Sequence, residues 1–469
     1  MDLRIPYKNE DFFRNPDAFP YGTAIFGQRN GRNGIKKINV RVRSFPDVSV
    51  SDGESWRYRS GWAGCGFLPS ESVPKMEQKY DLSELIVKLV RRKTQIKLTN
   101  PKNMKPIRLF FTAFVLLFAV SALRAQTPKD VEYVYTEAST LNLIGKILEN
   151  TPNPYHRVDT CKYKGFTSGE NTQVRCSAGL AVLFETNSST ISVKPDYGYM
   201  NRSGNTMGIA LRGYDLYIMK DGKWLYAASK APADGREENN LVLIKNLPQG
   251  VKQCMLYLPM YSELYSLKIG VEKGSDISPM ESPFRYRVGI FGSSFTQGIS
   301  ISRSGMSYPM QLMRRTGIQI LSLGCSGNCK LQPYFADVLC DAKVDALVFD
   351  AFSNPSPQMI EERLFPFIEK LRKAHPDIPL IFMQTIYRES RNFSTSSDAY
   401  EQAKMDMAAK LMAEAVRKYD NVYFIRTDTG ENSRESSVDG THPSDMGYLG
   451  WAESIEKPIM KILRKHGMK

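Results

Sequence analysis

The 469-residue chain is 42% apolar and 24% charged, enough to fill two or three cores at roughly 150 residues per domain and too apolar for a disordered tail. Its net charge of +14 would suit a nucleic-acid or anionic-membrane partner, but residues 1–103 carry +8 of it and residues 104–125 another +3. The remainder is close to neutral, which removes the electrostatic case for nucleic-acid binding.

Residues 1–103 are rich in Arg, Lys and Asn and only weakly periodic. At Met104 a short basic stretch leads into the apolar run Leu109 to Ala122, followed by Leu123-Arg124-Ala125-Gln126. That order is the pattern of an export signal over residues 104–125, with a mature end expected near Gln126. The run is shorter than the roughly 20 residues of a membrane span, so no stable membrane insertion is expected after cleavage. No Cys follows Ala125, which excludes a lipoprotein. An export signal belongs at the start of a protein. Met104 is therefore the expected true start, and residues 1–103 are read as a spurious or disordered upstream extension; the competing reading is a cytosolic extension before a short anchor. The expected location is periplasmic or extracellular.

Cys161, Cys176, Cys254, Cys325, Cys329 and Cys340 all follow the signal. Disulfides are permitted in an exported protein, but spacing alone does not define a pairing. Cys325-Ser-Gly-Asn-Cys329 lacks a second ligand pair for zinc and is either a loop clip or two free thiols.

Residues 130–280 are expected to form an all-β sandwich. Short alternating or β-branched runs lie at Gly179 to Thr186, Thr190 to Pro195, Met207 to Arg212, Leu216 to Lys220, Trp224 to Ala228, Leu241 to Leu247 and Lys252 to Met260. Asp221-Gly222 between two of them is a hairpin signal. A polar stretch from Ser275 to Pro283 marks the boundary to a second domain, residues 284–469. There the expected strands Tyr286 to Phe291, Ile318 to Leu323, Ala346 to Asp350, Ile378 to Ile386 and Val422 to Ile425 alternate with helices. The helices are expected over Tyr308 to Thr316, Gln358 to His375, Asp398 to Tyr419 and Asp445 to Lys465. This alternation predicts an α/β fold with a parallel sheet covered on both faces, whose ligands bind beyond the carboxyl ends of the strands.

Gly292-Ser293-Ser294-Phe295-Thr296-Gln297-Gly298 follows the first of these strands. Ser294 is thereby placed where a strand turns into a helix, with its own N–H near a helix N-terminus; the alternative is a plain turn and N-cap. Of the four histidines, His156 precedes the β unit, His375 ends a helix and His466 lies in the tail. His442 sits in Asp439-Gly-Thr-His442-Pro, between the last strand and the last helix. A carboxylate three residues before an imidazole can hold its Nδ1–H and leave Nε2 free to take a proton from serine; the alternative is a helix-capping turn.

With both motifs at the carboxyl ends of the first and last strands, residues 285–465 resemble an SGNH/GDSL hydrolase. The family's first block corresponds to Gly292-Ser293-Ser294 and its glycine block to Leu323-Gly-Cys-Ser-Gly327-Asn. Its asparagine block corresponds to Phe352-Ser-Asn354-Pro, and its last block to Asp439 through His442. Gly213-Tyr-Asp-Leu-Tyr217 resembles the signature of a GxDLY-type β domain fused to one branch of these esterases. The resemblance implies a flavodoxin-like three-layer α/β/α domain and a Ser294, His442, Asp439 triad. It also implies an oxyanion hole from the Ser294 N–H, the Gly327 N–H and the Asn354 side chain. Two positions depart from the pattern: Ser293 replaces an Asp, and Pro355 follows Asn354.

The implied activity is hydrolysis of short acyl esters, acetyl above all, on small molecules or glycans through an acyl-serine, with no cofactor and no metal. The alternatives are an acyltransferase using the same intermediate, a lipase or thioesterase, and a non-catalytic carbohydrate-binding protein. Asp215 either approaches the active site or serves a turn in the sandwich. Tyr197, Tyr199, Tyr214, Tyr217, Trp224, Tyr226, Tyr257 and Tyr261 either stack on sugars or fill a β core. The loop Tyr387 to Ser397 either borders substrate or is simply solvated.

Overall fold

A computed structural model describes residues 25–26, 41–42, 131–233, 240–430 and 434–469. The expected signal at residues 104–125 lies outside them. Two compact units are present, Met1–Phe111 and Thr112–Lys469. In the first, strands β1 (Ile25–Phe26) and β2 (Arg41–Val42) pair antiparallel. All that follows concerns the second.

Its first half holds β3 (Tyr133–Glu137), β4 (Asn142–Ile144), β5 (Ala181–Thr186), β6 (Ile191–Met200) and β7 (Tyr214–Lys220). It continues with β8 (Lys223–Lys230), β9 (Leu241–Ile244), β10 (Lys252–Tyr257), β11 (Ser262–Glu272) and β12 (Ile277–Pro279). One antiparallel sheet runs β12-β5-β10-β7-β8 with β4 also on β5; the other runs β3-β11-β6-β9. Asp221 and Gly222 join β7 to β8 with φ of 51° and 72°, the paired positive values of a two-residue hairpin turn.

Side chains alternate across the six-stranded sheet, and its central strands β5, β10 and β7 are buried on both faces. Val182, Phe184, Leu216 and Leu256 share a core with Ile191, Val193, Leu267 and Ile269 of the four-stranded sheet. Their neighbours Leu183, Tyr217, Met255 and Tyr257 share a different core with Val288, Ile290, Tyr308 and Trp451 of the second half.

Three local expectations are corrected. Met207 to Arg212 is no strand but contains the short helix Gly208–Arg212; Ala210, Leu211 and Arg212 are good helix formers, and a run this short does not reveal its period. A helix over Ser168–Arg175, closed by a capping box between Thr167 and Glu170, was not expected in an all-β segment. The polar stretch Ser275 to Pro283 is not merely a connector, because β12 lies inside it and pairs with β5.

In the second half, β13 (Arg285–Gly292), β14 (Ile318–Gly324), β15 (Ala346–Asp350), β16 (Leu380–Met383) and β17 (Val422–Ile425) form a parallel sheet of order β14-β13-β15-β16-β17. This is a flavodoxin-like order, and its crevice opens where the chain passes from β14 on one side of β13 to β15 on the other. Helices Tyr308–Thr316 and Asp445–Lys465 contribute Tyr308, Trp451 and Ile455 to the core on one face. Helices Pro333–Cys340, Pro357–Ala374 and Thr395–Lys418 contribute Phe335, Leu364 and Leu411 to the other. The first of these three was not expected. The strand expected over Ile378 to Ile386 is only four residues long, Leu380–Met383; Pro379, which has no N–H to give a ladder, precedes it.

Asp215 does not serve a turn of the sandwich. It lies within β7, fully buried, and accepts from Arg303 at 2.8 Å and from the Gly305 N–H at 2.8 Å. The carboxylate of the Gly-Tyr-Asp-Leu-Tyr motif thus ties the β domain to a loop of the α/β domain. Removing one partner of so buried a pair leaves an uncompensated charge, a loss of about 3–5 kcal/mol. Cys161, Cys176, Cys254, Cys325, Cys329 and Cys340 are all free thiols, so Cys325 and Cys329 make no clip.

Candidate active site

The nucleophile candidate sits on a strand-to-helix turn that the local sequence enforces. β13 ends at Gly292, where a Cβ would lie 1.9 Å from Thr296 Oγ1; only glycine lets the chain fold back this closely. Ser293 then caps the single turn Ser294–Gln297, its hydroxyl accepting the Phe295 N–H at 3.1 Å.

Ser294 Oγ is 3.0 Å from His442 Nε2, and His442 Nδ1 is 2.8 Å from Asp439 Oδ2. The two residues come from opposite ends of the domain and meet because both follow carboxyl ends of strands. Asp439 also accepts the N–H groups of Thr441 (3.0 Å) and His442 (2.8 Å) on its other oxygen. Partial burial works against its charge, but the His442 ring and backbone together with Asn205 outweigh it and hold the carboxyl well below the usual carboxylate range. An ionised Asp439 fixes the proton on Nδ1 and leaves Nε2 as the acceptor facing Ser294. The His442 ring also packs edge-on against Phe295, 5.6 Å between centroids.

Gly327 lies in the loop after β14 with φ of 72°, the left-handed conformation glycine adopts without strain. That loop is fastened to the serine turn by Gln297, whose Oε1 accepts the Ser326 N–H at 2.8 Å. Asn354 follows β15, and its Nδ2 is buried with no hydrogen-bond partner among the described residues. A buried amide donor without an acceptor costs about 1–3 kcal/mol, and this Nδ2 is free to take an acceptor that a ligand brings.

Several residues around this centre escaped the sequence reading. Asp350, the last residue of β15, is buried next to the serine turn; its Oδ2 accepts from the Ser293 N–H (3.0 Å), the Ser293 hydroxyl (2.6 Å) and Thr296 (3.0 Å). Its Oδ1 takes Ser353 at 2.6 Å. Burial pushes its carboxyl above the usual range against the pull of these donors. Arg388 and Lys404 both donate to the Ser353 carbonyl, at 2.6 and 3.1 Å, and both pair with Glu401. Burial lowers the Lys404 ammonium to about 8. The only sequence signal for Asp350 was a charge ending an otherwise apolar strand.

The aromatic residues of the β domain mostly fill its cores. Tyr214, Tyr217, Tyr257 and Tyr261 are buried, whereas Tyr199 and Tyr226 are exposed. The loop after β16 carries one fully exposed aromatic, Phe393, and its Ser390 N–H donates to the Gly440 carbonyl beside Asp439 at 2.7 Å.

Residues 285–460 match the GDSL-like lipase/acylhydrolase family. Residues 131–277 match the GxDLY domain, the N-terminus of SGNH-hydrolase-type esterases. Among solved structures the chain is similar to a protein described as a GDSL-like lipase from Bacteroides ovatus ATCC 8483. The two share 38% identity at a TM-score of 0.68, over 71% of this chain and 98% of that one. It also resembles in fold the salicylyl-acyltransferase SsfX3 of a tetracycline biosynthetic pathway, at 19% identity and a TM-score of 0.56, over 71% of this chain and 98% of that one. No curated protein matches the sequence.

Proposed function

Since the chain belongs to the GDSL-like lipase/acylhydrolase family and is a carboxylic ester hydrolase, we propose that it removes short acyl groups, acetyl above all, from a carbohydrate or similarly polar alcohol. Ser294 is the nucleophile, His442 the general base and Asp439 the carboxylate that orients it. The observation carrying this reading is the unbroken hydrogen-bonded line from Ser294 Oγ through the His442 ring to Asp439.

His442 Nε2 takes the Ser294 proton as Oγ attacks the ester carbonyl. The Ser294 N–H, the Gly327 N–H and the unpartnered Asn354 amide receive the oxyanion. His442 returns the proton to the leaving alcohol, and water repeats the sequence to release the acid. The chain's own residues suffice for these steps.

The polar loop after β16, with Arg388 beside Phe295 and Ser390 beside Gly440, supports a polar leaving group, and no long apolar insertion follows any of the parallel strands. Export through the segment 104–125 belongs to the same proposal and would bring the enzyme to extracellular or periplasmic glycans. The test is a nitrophenyl ester series from acetyl to octanoyl, followed by acetylated oligosaccharides. Efficiency should fall with chain length and acetate should be released. Rising efficiency with no acetate would identify a lipase or thioesterase.

A further inference from the structure

The loop between β6 and the helix Gly208–Arg212 belongs to the β domain, yet it ends at the triad. Asn205 Nδ2 donates to Asp439 Oδ2 at 2.8 Å, on the same oxygen that holds His442 Nδ1. The amide is fixed the other way round as well. An ionised carboxylate only accepts, so the NH2 group faces Asp439, and the Asn205 Oδ1 is left to accept the Ser203 hydroxyl at 2.6 Å and the Thr206 hydroxyl at 3.2 Å. Thr206 Oγ1 in turn accepts the Ser300 N–H at 2.9 Å, six residues beyond the nucleophile.

Asp439 needs such a partner. Its side chain is 31% exposed, and among the described residues its other hydrogen bonds come from its own turn, through the N–H groups of Thr441 and His442 and the His442 ring. Water at the open side of Oδ2 would compete with the imidazole and let the carboxylate plane swing.

We propose that Asn205 is a positioning residue for Asp439, so that the catalytic unit of this esterase is completed by its β domain. The inference rests on the triad stated above. Asn205 holds the carboxylate plane, and with it the imidazole, in line with Ser294 Oγ; it touches neither substrate nor the reacting atoms. Other charged or titratable groups near the triad are committed elsewhere. Asp445 accepts from Ser302, Arg388 pairs with Glu401, Glu389 accepts from Ser436, and the Tyr448 hydroxyl donates to the Ile299 carbonyl.

The experiment compares the full chain with Asn205→Ala, Asn205→Asp and, separately, Ser294→Ala, using nitrophenyl acetate over pH 5 to 9 and thermal melts. Asn205→Ala should lower kcat about tenfold with KM within about twofold, because a charge-assisted hydrogen bond that orients the base is lost. Asn205→Asp is nearly isosteric and places a second carboxylate against Asp439. It should move the acid limb of kcat/KM up by about one pH unit, since added negative charge favours the imidazolium. An acid limb and kcat unchanged in both variants, whatever their melting temperatures, would reduce Asn205 to a domain tether and overturn the inference. Turnover surviving in Ser294→Ala would instead overturn the triad itself.

Discussion

The hydroxyl of Ser293 donates to Oδ2 of Asp350 at 2.6 Å, so the residue just before the candidate nucleophile is pinned to a carboxylate on the neighbouring strand. The parallel register that sets Gly292 beside Asp350 makes this possible. Where the family pattern has an acid in the serine block itself, this chain places its acid one strand away and lets a serine reach it. Asp350→Ala should strand the Ser293 and Thr296 donors in a buried turn and lower unfolding free energy by roughly 3 kcal/mol or more. Ser293→Ala, losing a cap and one donor, should cost about 1–2 kcal/mol. Urea titrations in which Asp350→Ala is the milder change would refute this account.

Ser294→Ala should abolish fluorophosphonate labelling and lower turnover by about a thousandfold or more, with stability nearly unchanged. Persisting covalent label on that variant would move the nucleophile elsewhere.

Asn354→Ala should lower kcat about a hundredfold with little change in KM, because the amide meets its acceptor only when an oxyanion forms. Its Nδ2 has no partner to lose among the described residues, so the melting temperature should hold or rise. Normal turnover would remove Asn354 from the oxyanion site.

Acid should weaken the fold through Asp439. Its carboxyl is depressed in the folded state, so it stabilises above the unfolded value of about 4, and the contribution fades as pH falls below that value. The stability difference between the wild type and Asp439→Asn should therefore narrow from pH 5 toward pH 2. A gap that stays constant over that range would show that the carboxylate is not preferentially charged in the fold.

Elements with a sustained period were legible from sequence. The strands Ala346–Asp350 and Val422–Ile425 and the helices Tyr308–Thr316 and Asp445–Lys465 fall where pattern places them. The meeting of Ser294 with His442 was foreseeable because a parallel sheet delivers the ends of its strands to one edge. What escaped notice depends on register or on loops. Asp350 matters only because β15 lies beside β13 with Gly292 opposite it. Asn205 reaches Asp439 across 234 positions, and Arg388 reaches Ser353 from a loop with no periodicity. The aromatic count of the β domain could not say which rings face inward, and most of the tyrosines do. The helix Gly208–Arg212 was misread because five residues do not distinguish a period of 3.6 from one of 2.

The six-stranded sheet has apolar residues on both faces, and this bears on how the protein is made. Leu183, Tyr217, Met255 and Tyr257 leave the ribosome long before Trp451, with which they share a core. At about 5–20 residues per second, the interval between Tyr257 and Trp451 is on the order of 10–40 s. Through that time the nascent sandwich presents an apolar surface whose packing partner has not yet been made. The same geometry bears on recombination: a β domain cut from this chain would carry that apolar surface into any new setting.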